Sequence, residues 1–385
     1  MNHKSGSLAL TLVLALGGCS WFGGPEVEQP AALVEFKPAA EVTKVWSADI
    51  GKGPDRRFLR LAPVRNGDTL YVVDVTGSVR ALAQENGKER WRTDLDLEIT
   101  GGVGFGEDLV LVASRKGVVV ALDGSKGREL WRAQVTSEVL APPAVGAGVV
   151  VVQSVDGKLA GLESASGKRL WILDRTEPAL SLRGTATPVI LSDAVLTGFA
   201  NGKIVAVNLR NGRPIWDIPV AEPQGRSEIE RLIDVDIPVL IADRFLLAAA
   251  YQGKVVAMNL ENGRLLWTRD ISTYSALAAD AKNVYISDVR GNVVALDLSS
   301  GSTVWKQEML TLRRLSAPVV TGNALAVGDF EGYVHWLARE DGRLLARAHA
   351  ANSPVLAAPI SDGATLYVTT QNGYLAALRL GARTP

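Results

Sequence analysis

Apolar residues in this chain fall in short runs, rich in Val, Leu and Ala, and each run is closed by a glycine or a polar cluster. Runs of that length between turn residues predict β-strands rather than helices. The runs recur in a fixed phrase. It reads "GSVRALAQENGKERW" (77–91), "GVVVALDGSKGRELW" (117–131), "GKLAGLESASGKRLW" (157–171) and "GKIVAVNLRNGRPIW" (202–216). It returns as "GKVVAMNLENGRLLW" (253–267), "GNVVALDLSSGSTVW" (291–305) and "GYVHWLAREDGRLLA" (332–346). A second glycine follows the first by ten residues, and the fourteenth position after the first is Trp in every copy but the last, which has Ala346. Copies start 38 to 51 residues apart, the period of a propeller blade.

Each period holds four strands. Over 141–173, "APPAV" is the expected first strand, "VVVVQS" the second, "KLAGL" the third and "KRLWIL" the fourth. The paired glycines mark turns that need positive φ. Pro63, Pro143, Pro188, Pro238, Pro318 and Pro359 recur in the first strand. Proline cannot donate to a ladder and is tolerated at an edge, which places that strand along the central channel. The Trp falls on the outermost strand, between neighbouring blades. An eighth copy opens at Gly373 with "GYLAALRL" and lacks its fourth strand, while "KVWSADI", with Trp46, stands alone before the first full copy. The expected fold is therefore all-β: an eight-bladed propeller of four-stranded antiparallel blades, spanning 42–385. Its N-terminal strand joins the C-terminal blade and closes the ring.

The first residues are of another kind. "MNHKSGSLALTLVLALGGC" has a basic start and an apolar run from Leu8 to Leu16, too short to span a bilayer, and then small residues before Cys19. Residues 1–18 are expected to be an export signal, and "LGGC" resembles the lipobox at which a cysteine is lipidated. Ser20 follows; by likeness to other lipoproteins, the lack of aspartate there and at the next position favours the outer membrane. Residues 19–41, rich in Pro, Gly and Ala, read as a lipid-bearing tether. Cys19 is the only cysteine, which leaves no disulfide, thiol catalysis or cysteine metal site. Lys+Arg and Asp+Glu both number 41, so no basic footprint points to nucleic acid. A closed ring without charge bias is expected to be a monomer.

The G…AL…G…W phrase resembles the quinoprotein propeller repeat of dehydrogenases that use pyrroloquinoline quinone. Those enzymes are longer, and many carry an adjacent-cysteine disulfide and a calcium site. Here the repeat fills the chain, and beyond the leader only His335 and His349 remain, so a multi-histidine metal site is ruled out. His335, in the third-strand stretch "YVHWL", reads as a packed or rim histidine. The first strands offer few convergent polar groups for a ligand. No cofactor is expected, and a small-ligand or dehydrogenase propeller is the alternative reading.

Function in a regular ring is carried by what interrupts it. From the Trp position to the next opening glycine takes 24 to 27 residues in five connections, but 31 after Trp46, 31 after Trp171 and 37 after Trp216. The second long connection carries "LSLRG", and the third carries "QGRSEIERLIDVD" (224–236). Both join an outer strand to the next inner strand, emerge on one face and belong to consecutive junctions. Leu180, Leu182 and Arg183 are thus expected near Glu228, Glu230, Asp234 and Asp236. Two readings stand at this point: a recognition patch of aliphatic anchors and an arginine within a polar rim, or leucines that cap the core and an arginine paired internally. Calcium at "DVD" would need more oxygen ligands and a glycine turn. The first long connection, "GKGPDRRFLRLAP" (51–63), reads as the lead-in to the closing blade.

Taken together, lipobox, tether, eight quinoprotein-like blades and the two loop motifs "LSLRG" and "LIDVD" resemble the BamB family of outer-membrane protein assembly lipoproteins, over essentially the whole chain. The likeness implies a non-enzymatic scaffold anchored through Cys19 at the inner leaflet of the outer membrane, on the periplasmic side. It implies binding to the POTRA domains of BamA, alongside other Bam lipoproteins; pairing of unfolded outer-membrane proteins with a blade edge is a separate hypothesis that the sequence supports far less than docking. The family's binding residues fall on Leu180, Leu182 and Arg183 in the first motif and on Asp234 and Asp236 in the second. The chain departs at Ile233, where the family motif usually has a polar residue.

Overall fold

A computed structural model of the chain describes residues 28–382, apart from 56, 177, 179, 181, 183, 223–225, 228, 231 and 232. Its strands form eight four-stranded sheets, each an antiparallel meander in chain order. Blade 1 runs through Val64–Asn66, Thr69–Val73, Ser78–Ala83 and Glu89–Asp94. Blade 8 takes Ile360–Ser361, Thr365–Thr369 and Tyr374–Ala382 from the C-terminal end and Ala40–Asp49 as its outer strand, paired from Ala40↔Ala382 to Asp49↔Tyr374. The ring therefore closes as the repeat count predicts.

The first strands of neighbouring blades approach one another and line the centre. Seven of the eight have only two or three residues, shorter than expected, while that of blade 2, Ile99–Gly106, has eight; the blade 3 inner strand is Ala144–Gly146, so "APPAV" contributes only its end. The recurrent proline sits just before the inner strand, as Pro143 does before Ala144 and Pro318 before Val319. There it forfeits no ladder hydrogen bond.

The core is eight apolar clusters, one at each blade interface. Second and third strands are buried on both faces because a blade lies on either side, which is why they read as unbroken apolar runs. Outer strands alternate buried and exposed positions. The Trp–Gly phrase is an interface staple. Trp91 Nε1 donates to Gly124 O (3.0 Å), Trp131 to Ser164 O (2.8 Å) and Trp171 to Leu209 O (2.8 Å), each carbonyl belonging to the next blade. The second glycine of that next blade lies flat under the same ring: Gly127 under Trp91, Gly167 under Trp131, Gly212 under Trp171. A Cβ there would collide with the indole, and φ near +70° also favours glycine.

Blade 7 has Ala346 at the staple position, and its third strand explains why. Elsewhere a small residue faces the Trp, as Ala121 faces Trp131, whereas here Trp336 faces Ala346. The bulk has moved one strand inward, and Trp336 is fully buried. Blade 8 takes its outer strand from the other end of the chain, so it has no third-to-fourth-strand turn for a Trp of blade 7 to clasp.

In such a meander, outer-to-inner connections and second-to-third-strand turns share one end of the ring, here called the upper face. All three long connections lie there, between Asp49 and Val64, Asp174 and Val189, and Pro219 and Leu240. Of the segment expected as a tether, Glu28 to Ala39 rests on the propeller: Ala31 N–H donates to Thr311 O (2.9 Å) and Ala39 N–H to Leu345 O (2.8 Å).

Candidate docking surface

The two motif-bearing connections meet. Leu182 N–H donates to the Asp234 carboxylate. Gly184 lies against the Asp236 carboxylate so closely that a Cβ would collide with it. Asp234 is itself pinned by the backbone. It forms an antiparallel bridge with Tyr251, whose N–H donates to Asp234 O (2.9 Å), while Val235 N–H donates to Phe199 O (3.3 Å). Those partners are in the upper-face turns of blades 4 and 5, so the "IDVD" stretch is clamped between two blades. Ile233, Val235 and Ile237 are buried, and the alternating register turns Asp234 and Asp236 away from that core. Ile233 accordingly packs in the blade 4–5 cluster, an apolar anchor for its loop.

Among the candidate site residues, Leu180 is 42 % exposed, Leu182 is half-buried, and Asp234 is buried. Arg183 and Cys19 lie outside the described residues, as does Glu228. Glu230 is held in a local turn. Its Oε2 accepts from Arg226 N (2.7 Å) and Ser227 N (3.1 Å), and its own N–H donates to Ser227 Oγ (3.2 Å). This reciprocal capping box leaves Ile229 at the turn 68 % exposed. The backbone donors hold the Glu230 carboxyl below the usual range.

Between the joined loops and blades 3 and 4 lies a cavity of about 340 Å³, lined by Leu182, Gly184, Asp234, Asp236, Phe199 and Gln153 among others. Its floor is rigid: Thr197 Oγ1 donates to Gln153 Oε1 (2.5 Å), and Gln153 Nε2 donates to Gly198 O (2.9 Å). Burial pushes the Asp236 carboxyl above the ordinary range, and the nearby Arg60 charge only partly offsets it. Among the described residues no cluster of three or more His, Cys, Asp or Glu is placed to hold a metal ion.

Arg60 is the residue the sequence did not single out. Leu59 and Leu61 are buried in the blade 1–2 cluster, which turns Arg60 outward between them. Its guanidinium reaches to 5.9 Å from the ring of Tyr274, in the connection between blades 5 and 6. The first long connection thus reaches over the channel mouth, and its charge acts on both Tyr274 and Asp236. Phe58, next to this anchor, is 82 % exposed. All three long connections therefore carry an exposed large apolar side chain on the upper face. The alternation "FLRL" signals that Arg60 points away from the core, but which distant loop it meets depends on ring closure and carries no local mark.

Comparison with known proteins places this geometry in a family. The sequence profile described as outer membrane protein assembly factor BamB matches residues 39–101 and 75–307. The outer membrane protein assembly factor BamB of Pseudomonas aeruginosa is 47% identical over 368 residues, 96% of this chain and 97% of the relative. The crystal structure of BamB from Moraxella catarrhalis superposes with a TM-score of 0.81 at 28% identity, covering 88% of this chain and all of that one. The quinohemoprotein alcohol dehydrogenase from Comamonas testosteroni gives a TM-score of 0.72 at 14% identity, covering 89% of this chain and 77% of that one, a likeness of fold.

Proposed function

Since the chain belongs to the BamB family of outer membrane protein assembly factors, we propose that it is a non-enzymatic scaffold that docks the periplasmic POTRA domains of BamA through its upper face. The observation that carries this reading is the joining of the two repeat-breaking loops by the Leu182–Asp234 hydrogen bond and the Gly184–Asp236 contact. Two connections that differ from every regular one are locked into a single surface, with Leu180 and Ile229 presented outward. Exposed aliphatic groups beside fixed carboxylates suit a partner that offers an apolar contact within a polar rim. In this reading Leu180, Leu182 and Arg183 form one side of the contact and Asp234 and Asp236 the other.

Acylation at Cys19 holds the propeller at the inner leaflet of the outer membrane, on its periplasmic side, beside other Bam lipoproteins. More than one acyl chain is needed for a firm anchor. Docking orients the POTRA arm while unfolded outer-membrane proteins are delivered to the barrel. The dehydrogenase alternative draws on a shared fold at 14% identity and no more.

The test is binding of the unlipidated protein to isolated POTRA domains, wild type beside Arg183→Glu. Reversing a hot-spot charge should weaken binding by roughly 2 kcal/mol or more, about thirtyfold, with the thermal midpoint unchanged. A fall in the midpoint with binding intact would make Arg183 a structural tie. A wild type that does not bind would end the docking proposal.

A further inference from the structure

The segment Glu28–Ala39 is held in a purpose-made seat. Arg313 Nη1 donates to Ala31 O (3.0 Å), and Arg347 Nη1 donates to Val34 O (3.1 Å). The Arg347 guanidinium also lies 5.2 Å from the Phe36 ring, which packs against the blade 6–7 cluster. Arg290 Nη2 donates to Glu28 Oε1 (2.6 Å). The two clamping arginines are fixed from behind by one buried pair. Asp329 Oδ2 accepts from Arg313 Nε (2.8 Å) and pairs with His335 Nε2 (2.9 Å), and His335 Nδ1 accepts from Arg347 Nε (3.3 Å). Asp329 and His335 are both wholly buried. A buried His–Asp pair flanked by two arginines, each with a nitrogen turned onto the same backbone segment, is a heavy investment for an incidental contact.

Topology gives the seat a direction. Arg290 lies in the second-to-third-strand turn of blade 6, and Thr311 and Arg313 lie in the connection from blade 6 to blade 7, all on the upper face. Leu345 stands at the beginning of Leu344–His349, the outer strand of blade 7, at the opposite end of the ring. The segment therefore descends from the upper face at Glu28 to the lower face at Ala39, where Ala40–Asp49 turns back up as the closing strand.

We infer that Glu28–Ala39 is a strap that makes the acylated N-terminus leave from the upper face, so that the face carrying the docking loops is the one presented to the lipid surface. The inference rests on the lipid anchor of the proposed function. Cys19 precedes Glu28 by nine residues, a reach of at most about 30 Å. Without the strap, the tether would run to Ala40 on the lower face, a reach of roughly 70 Å, and would impose neither face nor height.

The experiment uses full-length acylated protein on vesicles whose headgroups carry an energy-transfer acceptor. A donor is placed by Lys116→Cys, in an upper-face turn of blade 2, or by Lys126→Cys, in a lower-face turn of the same blade; both positions are exposed. Transfer should be higher from Lys116→Cys than from Lys126→Cys. The difference should vanish in Ala31→Pro/Phe36→Ser, which removes the N–H to Thr311 and the ring over Arg347 and leaves the Asp329 network intact. Phe36→Ser alone, which keeps every backbone bond, should give a partial loss and stands in if the double variant has a lowered thermal midpoint. Equal transfer in the wild type, or a difference that survives strap release, overturns the inference. Flotation with the vesicles is scored separately: failure to float defeats the lipid anchor itself and the inference with it.

Discussion

Asp234 and Asp236 are two residues apart and stand in opposite relation to stability. Asp234 receives a backbone N–H from the neighbouring loop and is clamped by Tyr251. Asp236 is half-buried, with desolvation pushing its carboxyl up. A raised native value means that the unfolded chain, ionised near pH 4, gains an advantage as pH rises through the native value. Above the unfolded value, about pH 4, this carboxyl thus costs the fold stability. Asp236→Asn is expected to raise the thermal midpoint at pH 7 and to lose that gain near pH 4, while weakening POTRA binding; calorimetry at the two pH values with a parallel binding measurement checks both. Counting residues between repeats placed the two aspartates in a long connection opposite Leu180 and Leu182. It did not reveal the contact, because Gly184 contributes by having no side chain and Leu182 contributes a backbone N–H.

At the scale of the element, the repeat reads as a rule and blade 7 as its one inversion. Ala346 looks like a lost staple in sequence; in three dimensions Trp336 supplies the missing volume from the facing position. Trp336→Ala should cost about 3–5 kcal/mol, as expected for a buried aromatic. Adding Ala346→Trp should return part of that, and the non-additivity in a double-mutant cycle by denaturant unfolding measures the exchange. Full recovery is not expected, since blade 8 offers no turn carbonyl for the indole N–H. Strand types and order were legible because glycine, proline and Trp recur at fixed intervals. The brevity of seven of the inner strands was not: proline stands just before the strand in blades such as 3 and 7 and so marks its threshold rather than its interior.

For the molecule as a whole, the buried pair at Asp329 and His335 ties blade 7 to the strap, and it should make the fold acid-sensitive. Burial pushes the His335 imidazole below its ordinary range, against the pull of Asp329 and with help from Arg347 and Arg313. Burial pushes Asp329 up, yet hydrogen bonds from His335 and Arg313, with the Arg313 charge, carry it below the usual carboxylate range. Below about pH 6.5 the unfolded chain takes up a proton at this histidine that the native state refuses, so stability falls with pH; Asp329 adds to the loss below about pH 4. The thermal midpoint should drop between pH 7.5 and 5.5, and His335→Gln should flatten that dependence. The sequence showed this histidine as packed or at the rim, since neither Arg313 nor Arg347 lies near enough in sequence to reveal the partnership.

Closing the ring with the two ends of the chain also sets an order of events. In synthesis from the N-terminus, Ala40–Asp49 is among the first strands made, and its partner Tyr374–Ala382 is the last. Until the final residues arrive, a ten-residue strand waits with an open edge, the state in which β-segments recruit the wrong neighbour. Glu41, Lys44 and Asp49 punctuate that strand, a charge at its beginning, middle and end. Charges on an unpaired edge disfavour pairing with another chain, which is the protection this strand needs until its own partner has been made.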